Sequence, residues 1–287
     1  MTIKELIKFG LTGLKEAGIE AYESDAKLLA MHVLGIGYTE LFLNYDCTVE
    51  KKKIDEYAAL IEQRSTHFPC QYITGEQDFM GYTFKTMPGV LIPRPETELL
   101  VEEALSMTMD RDVVRLLDMC SGSGCIGISY RLLRLQKGYA EDIVELADIS
   151  EDAINLSAQN NLELKADCNI IRTDLFSEIS GKYDIIVSNP PYIKTADIED
   201  LMEDVVKYEP VLALDGREDG LYFYRKIIKE ARNYLNEDGM LLFETGHNQH
   251  EDIRALLIDS RYEDIRLIKD YAGLDRIITA RVSKRSI

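Results

Sequence analysis

Up to about residue 65 the apolar positions recur every three or four residues, the period of a helix with one buried face. Ile3, Leu6, Ile7, Leu11 and Leu14 form one stripe, and Ala26, Leu29, Ala30 and Val33 form a second after Ser24, a candidate N-cap. The charged stretch VEKKKIDEYAALIEQR predicts a third long helix with Ile54, Tyr57, Leu60 and Ile61 turned inward. No strand pattern interrupts these stripes, so residues 1–68 read as a small helical domain. Residues 69–95 change character: FMGYTFKTMPGVLIP alternates aromatics around glycine, and Pro88, Pro93 and Pro95 punctuate the stretch up to the next helix. That pattern predicts a connector containing a hairpin.

From Glu96 to Met107 the helical period returns, and from about residue 112 strand and helix alternate to the end. The strand segments are VVRLLDM, DIVELADI, NIIRT, YDIIVS, GMLLFET, YEDIRLIKD and LDRIITARV. The helical ones are CIGISYRLLRL, EDAINLSAQNNLEL, LYFYRKIIKEARNYL and QHEDIRALLID. Such alternation predicts an α/β domain over 96–287, a mostly parallel seven-stranded sheet with helices on both faces. The last two strands, joined by the short YAG, must run antiparallel if they form a hairpin.

Composition narrows the class. With 46% hydrophobic and 29% charged residues, the chain is an ordinary globular protein rather than a disordered or fibrous one. No apolar run approaches the roughly 18 residues of a membrane span, and the first residues lack a secretory signal pattern, so a cytoplasmic protein without membrane attachment is expected. The five cysteines form no C-x-x-C pair, which indicates neither a disulfide framework nor a zinc site. His247 and His250 have no third ligand nearby in sequence and read as surface residues; no metal is expected. A net charge of −18 disfavours stable nucleic-acid binding, since a polyanion needs a basic face. A monomer is the default expectation.

Candidate chemistry begins at LLDMCSGSGCIG, which sets Gly122, Gly124 and Gly127 between a strand and a helix. Glycines there permit a tight turn and close backbone approach to a ligand, and the helix N-terminus attracts a negative group. Asp148 ends the next strand, where a carboxylate can take both hydroxyls of a ribose, with Ile149 beside it. That much suits NAD as well as S-adenosylmethionine. Asp118, just before the turn, would crowd a pyrophosphate but suits a cationic sulfonium or an amino group, and so favours the methyl donor. Asp174, at the end of the third strand, is a candidate partner of an adenine amine, with Leu175 and Phe176 as apolar cover.

SNPPY, residues 188–192, follows the fourth strand and therefore lies at the same sheet edge. Pro190 and Pro191 fix φ and donate no backbone hydrogen bond, which makes a rigid rim. The rim offers the Asn189 side-chain carbonyl, free backbone carbonyls and the face of Tyr192. Two acceptors, the Asn189 carbonyl and the Pro190 backbone carbonyl, match the two N–H bonds of a planar amine. Positioning and polarisation, rather than a strong base, would then supply the rate.

Asn-Pro-Pro-Tyr in this place resembles the catalytic motif of class I S-adenosylmethionine-dependent amino methyltransferases. The order of QYITGEQDFMGYTFKTMPGVLIPRPETELLVEEAL, DMCSGSGCIGIS, ADIS, DLF, IIVSNPPYI, YEPVLALDGREDGLYFYRKII and DRIITARV is similar to the release-factor glutamine N5-methyltransferases, the PrmC/HemK family. The resemblance implies a Rossmann-like methyltransferase domain behind a helical substrate-docking domain. It also implies methylation of the glutamine of a GGQ tripeptide in peptide chain release factors. It assigns donor contacts to Cys120, Ser121, Gly122, Ser123, Gly124, Asp148, Asp174, Leu175 and Asn189, beside Asp118 and Ile149 from the reading of the residues above. It assigns the substrate glutamine to Asn189, Pro190, Pro191 and Tyr192, with Arg94 and Glu96 at the rim. Where the family has Leu-Gly-Thr-Gly after the acid, this chain has Met119, Cys120, Ser121 and Gly122. No role attaches to Glu244 in FETGHNQ, and no residue reads as a general base. A ribosomal-protein glutamine methyltransferase and a nucleic-acid amino methyltransferase acting on N6 of adenine or N2 of guanine are the alternatives. An NAD-dependent oxidoreductase would leave Asn-Pro-Pro-Tyr idle.

Overall fold

The structure, a computed structural model, describes residues 1–282. They form two compact units, Met1–Glu76 with Met202–Tyr208, and Gln77–Leu201 with the chain from Glu209 onward.

The first unit is helical: α1 (Ile3–Glu16), α2 (Tyr22–Leu34), α3 (Tyr38–Leu43), α4 (Lys51–Arg64) and α5 (Cys70–Thr74), with α9 (Glu203–Tyr208) arriving from far along the chain. Thr2 caps α1 in a box with Glu5, and the stripe Ile3, Leu6, Ile7 and Leu14 is buried against Ala26, Leu29, Ala30 and Val33. Tyr57 fills the centre and its hydroxyl donates to the Ala26 carbonyl at 2.9 Å. A Cβ at Gly10 would collide with that hydroxyl, so α1 and α4 approach closely only because residue 10 is glycine. Ser24 is not the cap of α2. The helix starts at Tyr22 after Ala21, and the Ser24 hydroxyl donates back to the Ala21 carbonyl at 2.9 Å. Arg64 pairs with Asp25 at 2.8 Å in the interior and reaches Asp204 of α9 at 3.5 Å. Burial pushes the Asp25 carboxyl up, against the pull of the Arg64 guanidinium.

The second unit opens with the hairpin β1 (Glu76–Phe79) and β2 (Tyr82–Lys85). Its two-residue turn has positive φ at both Met80 and Gly81, the turn whose twist matches paired strands. A 3-10 turn over Pro95–Thr97 leads into α6 (Glu98–Thr108). The sheet comprises β3 (Arg115–Met119), β4 (Ile143–Asp148), β5 (Asn169–Arg172), β6 (Tyr183–Ser188), β7 (Leu235–Glu244), β8 (Tyr262–Lys269) and β9 (Asp275–Val282). Its order is β5-β4-β3-β6-β7-β9-β8, with β3 to β7 parallel and β9 antiparallel to both neighbours. This is the mostly parallel seven-stranded sheet with a terminal hairpin that the alternation predicts.

The pleat divides the core into two layers. Leu117, Met119, Ile186 and Phe243 pack against α11 (Tyr222–Ala231) and α12 (His250–Asp259). Leu116, Ile185, Val187 and Leu242 pack against α6 and α7 (Cys125–Gln136), with α8 (Glu151–Leu164) following β4. The chain turns to one side of β3 for β4 and β5 and to the other for β6 and β7, so the order reverses between β3 and β6. Open α/β sheets bind ligands in the crevice at such a point, beyond the carboxyl ends of the strands. Between β6 and α11 lie a 3-10 turn (Thr195–Asp200), α9 and α10 (Val211–Leu214), elements too short to show a period in the sequence.

Candidate active site

A cavity of about 250 Å³ opens at this reversal, bounded by the loops after β3, β4, β5 and β6, by residues 89–94 and Thr97, and by several residues between Pro210 and Lys226. The loop after β3 is built from backbone. Ser121 N–H donates to the Ala147 carbonyl at 3.1 Å and Gly124 N–H to the Ser121 carbonyl at 2.8 Å. Asp148 braces the turn from the next strand, accepting from Gly122 N–H and from Ser150 N–H, each at 2.9 Å. Burial raises the Asp148 carboxyl, and these N–H bonds oppose the rise. Gly124 caps α7 with φ 80°, and a Cβ there would press on Ile128, Leu146 and Ser157. Cys120 holds a left-handed φ of 62°, a conformation that glycine adopts without strain. The turn thus forms with a cysteine side chain at this position.

The rim after β6 is held by side chains and glycines from elsewhere. Ser188 donates to the Met119 carbonyl at 2.6 Å, tying the ends of β6 and β3 together. Gln249 donates to the Tyr192 carbonyl at 2.9 Å, and Gly216 N–H to the Ile193 carbonyl at 2.7 Å. Cβ atoms at Gly216 and Gly220 would collide with the Tyr192 backbone, so glycine permits this close clamp. Behind Asn189 runs a chain of polar contacts. Its Nδ2 donates to Thr97 Oγ1 at 3.4 Å, and Thr97 Oγ1 donates to Glu244 Oε2 at 2.6 Å. Thr97 and Glu244 are both buried, and burial pushes the Glu244 carboxyl up to about 6.

Of the residues singled out in the sequence, Cys120, Ser121, Gly122, Ser123, Asp148, Ile149, Asp174, Leu175, Asn189, Pro191 and Arg94 stand on the cavity wall. Asp118, Gly124, Pro190, Tyr192 and Glu96 are not among the wall residues. Asp118 in particular turns under the loop instead of facing a ligand: it is fully buried, and its Oδ2 accepts from Gly127 N–H at 2.9 Å. Strand alternation is the reason, because Asp118 shares the face of Leu116, toward α7, while Leu117 and Met119 face the other layer. Burial raises its carboxyl to about 7. Tyr192 is also held inward, packed against the α11 and α12 layer. Thr97, Arg217, Tyr222, Phe223 and Lys226 join the wall without any signal of their own in the sequence, although all lie in stretches that carry the resemblance. Arg94 pairs with Glu209 at 2.5 Å, which sets its guanidinium at the rim.

Residues 5–75 match the family model for the PrmC N-terminal domain, and residues 82–217 that of the methyltransferase small domain. A release factor glutamine methyltransferase of Clostridium botulinum is 38% identical over 288 aligned residues, covering 98% of this chain and 99% of the relative. One of Clostridium acetobutylicum is 37% identical, covering 98% of each. The chain belongs to the release factor glutamine methyltransferase family. Among solved structures, the Thermus thermophilus 16S rRNA N2 G1207 methyltransferase in complex with AdoMet and guanosine superposes with a TM-score of 0.52. At 15% identity, over 72% of this chain and 50% of that one, it shows a shared methyltransferase fold. Among the described residues no helix is long and apolar enough to cross a membrane, and no cluster of metal-ligating side chains occurs.

Proposed function

We propose that this protein methylates the side-chain amide nitrogen, N5, of the glutamine in the GGQ motif of peptide chain release factors. S-adenosylmethionine is the donor, and N5-methylglutamine and S-adenosylhomocysteine are the products. The observation that carries the reading is that the glycine loop and Asn189 face one cavity at the sheet's reversal point.

The wall suits the donor. Ser121 Oγ is buried on it without a hydrogen-bond partner, and a buried polar atom of that kind calls for a ligand. Cys120 to Ser123 form the cradle, Asp148 keeps lone pairs free for ribose hydroxyls, and Asp174 and Leu175 flank the adenine side, with Ile149 beside them. Bound there, the donor supplies a methyl group on a cationic sulfonium. The chain's own task is to present the acceptor nitrogen. The Asn189 Oδ1 and the Pro190 carbonyl take the two N–H bonds of the carboxamide, and Pro191 and Tyr192 keep that rim rigid. Arg94 stands where the glutamine enters, with Glu96 nearby in the chain. The carboxamide lone pair is delocalised, so orientation and polarisation by these acceptors carry the rate. The nitrogen's proton leaves afterwards to water.

Within the same reading, residues 1–68 dock the release factor, 69–95 connect, and 96–287 carry the chemistry. The protein works as a cytoplasmic monomer without stable nucleic-acid or membrane partners, in keeping with its charge of −18.

The deciding experiment is transfer of labelled methyl to a purified release factor, beside a factor with its GGQ glutamine replaced by alanine and a nucleic-acid control. Label on the unaltered factor alone is the expected result. Label on nucleic acid alone would mean that the same rim grips a base amine, and would overturn the choice of substrate.

A further inference from the structure

We propose that Thr97 and Glu244 are positioning residues that decide which end of the Asn189 amide faces the cavity, and that they do so in a proton-dependent way. The proposal deepens the functional reading above and rests on it for the identity of the acceptor.

The two ends of a primary amide are nearly the same size, so packing does not choose between them; hydrogen bonds do. For the proposed acceptor the choice is decisive. With Oδ1 toward the cavity, Asn189 accepts from the substrate NH2. Flipped, it presents one NH2 to another. The contacts behind Asn189 settle the matter. The Thr97 hydroxyl has a single proton, and the 2.6 Å contact with Glu244 Oε2 uses it, because an ionised carboxylate only accepts. A lone pair is then all that Thr97 offers Asn189, and only the Nδ2 end can meet it, as the 3.4 Å contact shows. Oδ1 is left for the cavity.

The same chain has a second state. A protonated Glu244 donates to Thr97, freeing the Thr97 proton for Asn189. The amide end that can accept it is Oδ1, so the amide turns over and the NH2 faces the cavity. The groups around Glu244 keep this switch in reach. Burial and, less strongly, Glu96 oppose the charged form, while the Thr97 hydrogen bond, Arg276 of β9 and Arg94 favour it; Tyr192, Tyr224 of α11 and Cys125 at the start of α7 complete the surroundings. Burial prevails and pushes the carboxyl up to about 6. The backbone is fixed meanwhile, since Tyr224 donates to the Glu244 carbonyl at 2.7 Å. The contacts come from residues 92 and 147 positions apart, which is why no local motif reveals them.

The test has one readout that needs no turnover. The full chain, labelled with 15N-asparagine, is titrated from about pH 5 to 8, and the Asn189 side-chain amide signal is assigned by its loss in Asn189→Gln. In the wild type that signal shifts with a midpoint near 6. In Glu244→Gln and in the isosteric Thr97→Val it no longer titrates. In single-turnover methyl transfer to a release factor, Thr97→Val lowers the rate about 10- to 100-fold while S-adenosylhomocysteine affinity stays near wild type; the thermal midpoint falls, because the buried Glu244 carboxyl loses its donor, but the variant remains folded. Thr97→Ser restores most of that rate, and Glu244→Gln loses the fall in rate below pH 6. An Asn189 amide that is silent to pH in the wild type, or that titrates in Thr97→Val as before, overturns the relay. A wild type that transfers no methyl to the factor overturns the functional reading instead, and the amide titration still decides the relay.

Discussion

The two loops that meet in the cavity are held by opposite means. The glycine loop after β3 is closed by its own backbone and by Asp148 from the adjacent strand, and its one conformational demand is positive φ at Cys120, Gly122 and Gly124. The Asn189 rim has little local support. The Met119 carbonyl, which accepts from Ser188, together with Gln249, Gly216, Gly220 and the Thr97–Glu244 pair, fixes it from elsewhere in the chain. A loop of the first kind can be copied as a short motif, because its geometry travels with its residues. A rim of the second kind works only inside this sheet. Under the proposed function, the cradle for a donor is thus generic, and the selection of an acceptor falls to the part that the whole fold must hold in place.

The largest effect should come from Asn189, at the tip of the rim. Asn189→Ala removes one of the two acceptors proposed above for the substrate amide, and methyl transfer should fall about 100- to 1000-fold. Donor affinity, measured by calorimetry with S-adenosylhomocysteine, should change less than about tenfold, because the cradle is built elsewhere. A loss of donor binding as large as the loss of rate would show the two loops to be one unit and erase the contrast.

A smaller effect, of the opposite pattern, should come from Gly124→Ala. Residue 124 has φ 80°, and the new Cβ would lie 2.8 Å from Ile128, 3.0 Å from Leu146 and 3.2 Å from Ser157. The combined strain and crowding should cost about 2 kcal/mol of stability. Donor affinity should weaken more than the rate at saturating donor falls. A variant with wild-type melting temperature and donor affinity would mean that the turn is not under the demand its φ implies.

The contrast also explains what was legible in the sequence. Helix and strand periods were readable wherever a segment ran for several turns or alternations, as with the Ile3–Leu14 stripe and all seven strands. They failed from Thr195 to Leu214, where three short elements succeed one another and one of them, α9, packs with the helical unit through Asp204 and Tyr208. The glycine loop was readable because its cavity-facing groups are contiguous. Thr97 and Glu244 were not, because nothing but the folded sheet brings them behind Asn189. Asp118 shows a subtler limit. Its place beside the loop was evident from spacing, but its direction depends on the pleat, and the pleat turns it toward Gly127 N–H and away from the cavity wall.

That placement has its own consequence, the smallest and the most specific to the backbone-held loop. Burial raises the Asp118 carboxyl to about 7, whereas in the unfolded chain it titrates near 4, as an ordinary aspartate does. Below about pH 4 both states hold the proton, and the group's favourable contribution to folding is complete. As pH rises toward 7 the unfolded chain gives up the proton while the folded protein keeps it, so the contribution is steadily lost; above 7 the loss is complete. Asp118→Asn removes this titration, and its side-chain carbonyl can still accept from Gly127 N–H. Urea unfolding of both proteins at several pH values isolates the effect, because Glu244 and every other titrating group is common to the two. The stability of the variant minus that of the wild type should climb from pH 4 to 7 and then level off. A difference that stays constant across that range would mean that Asp118 is solvated or paired in solution, and that the loop is not braced by a buried acid after all.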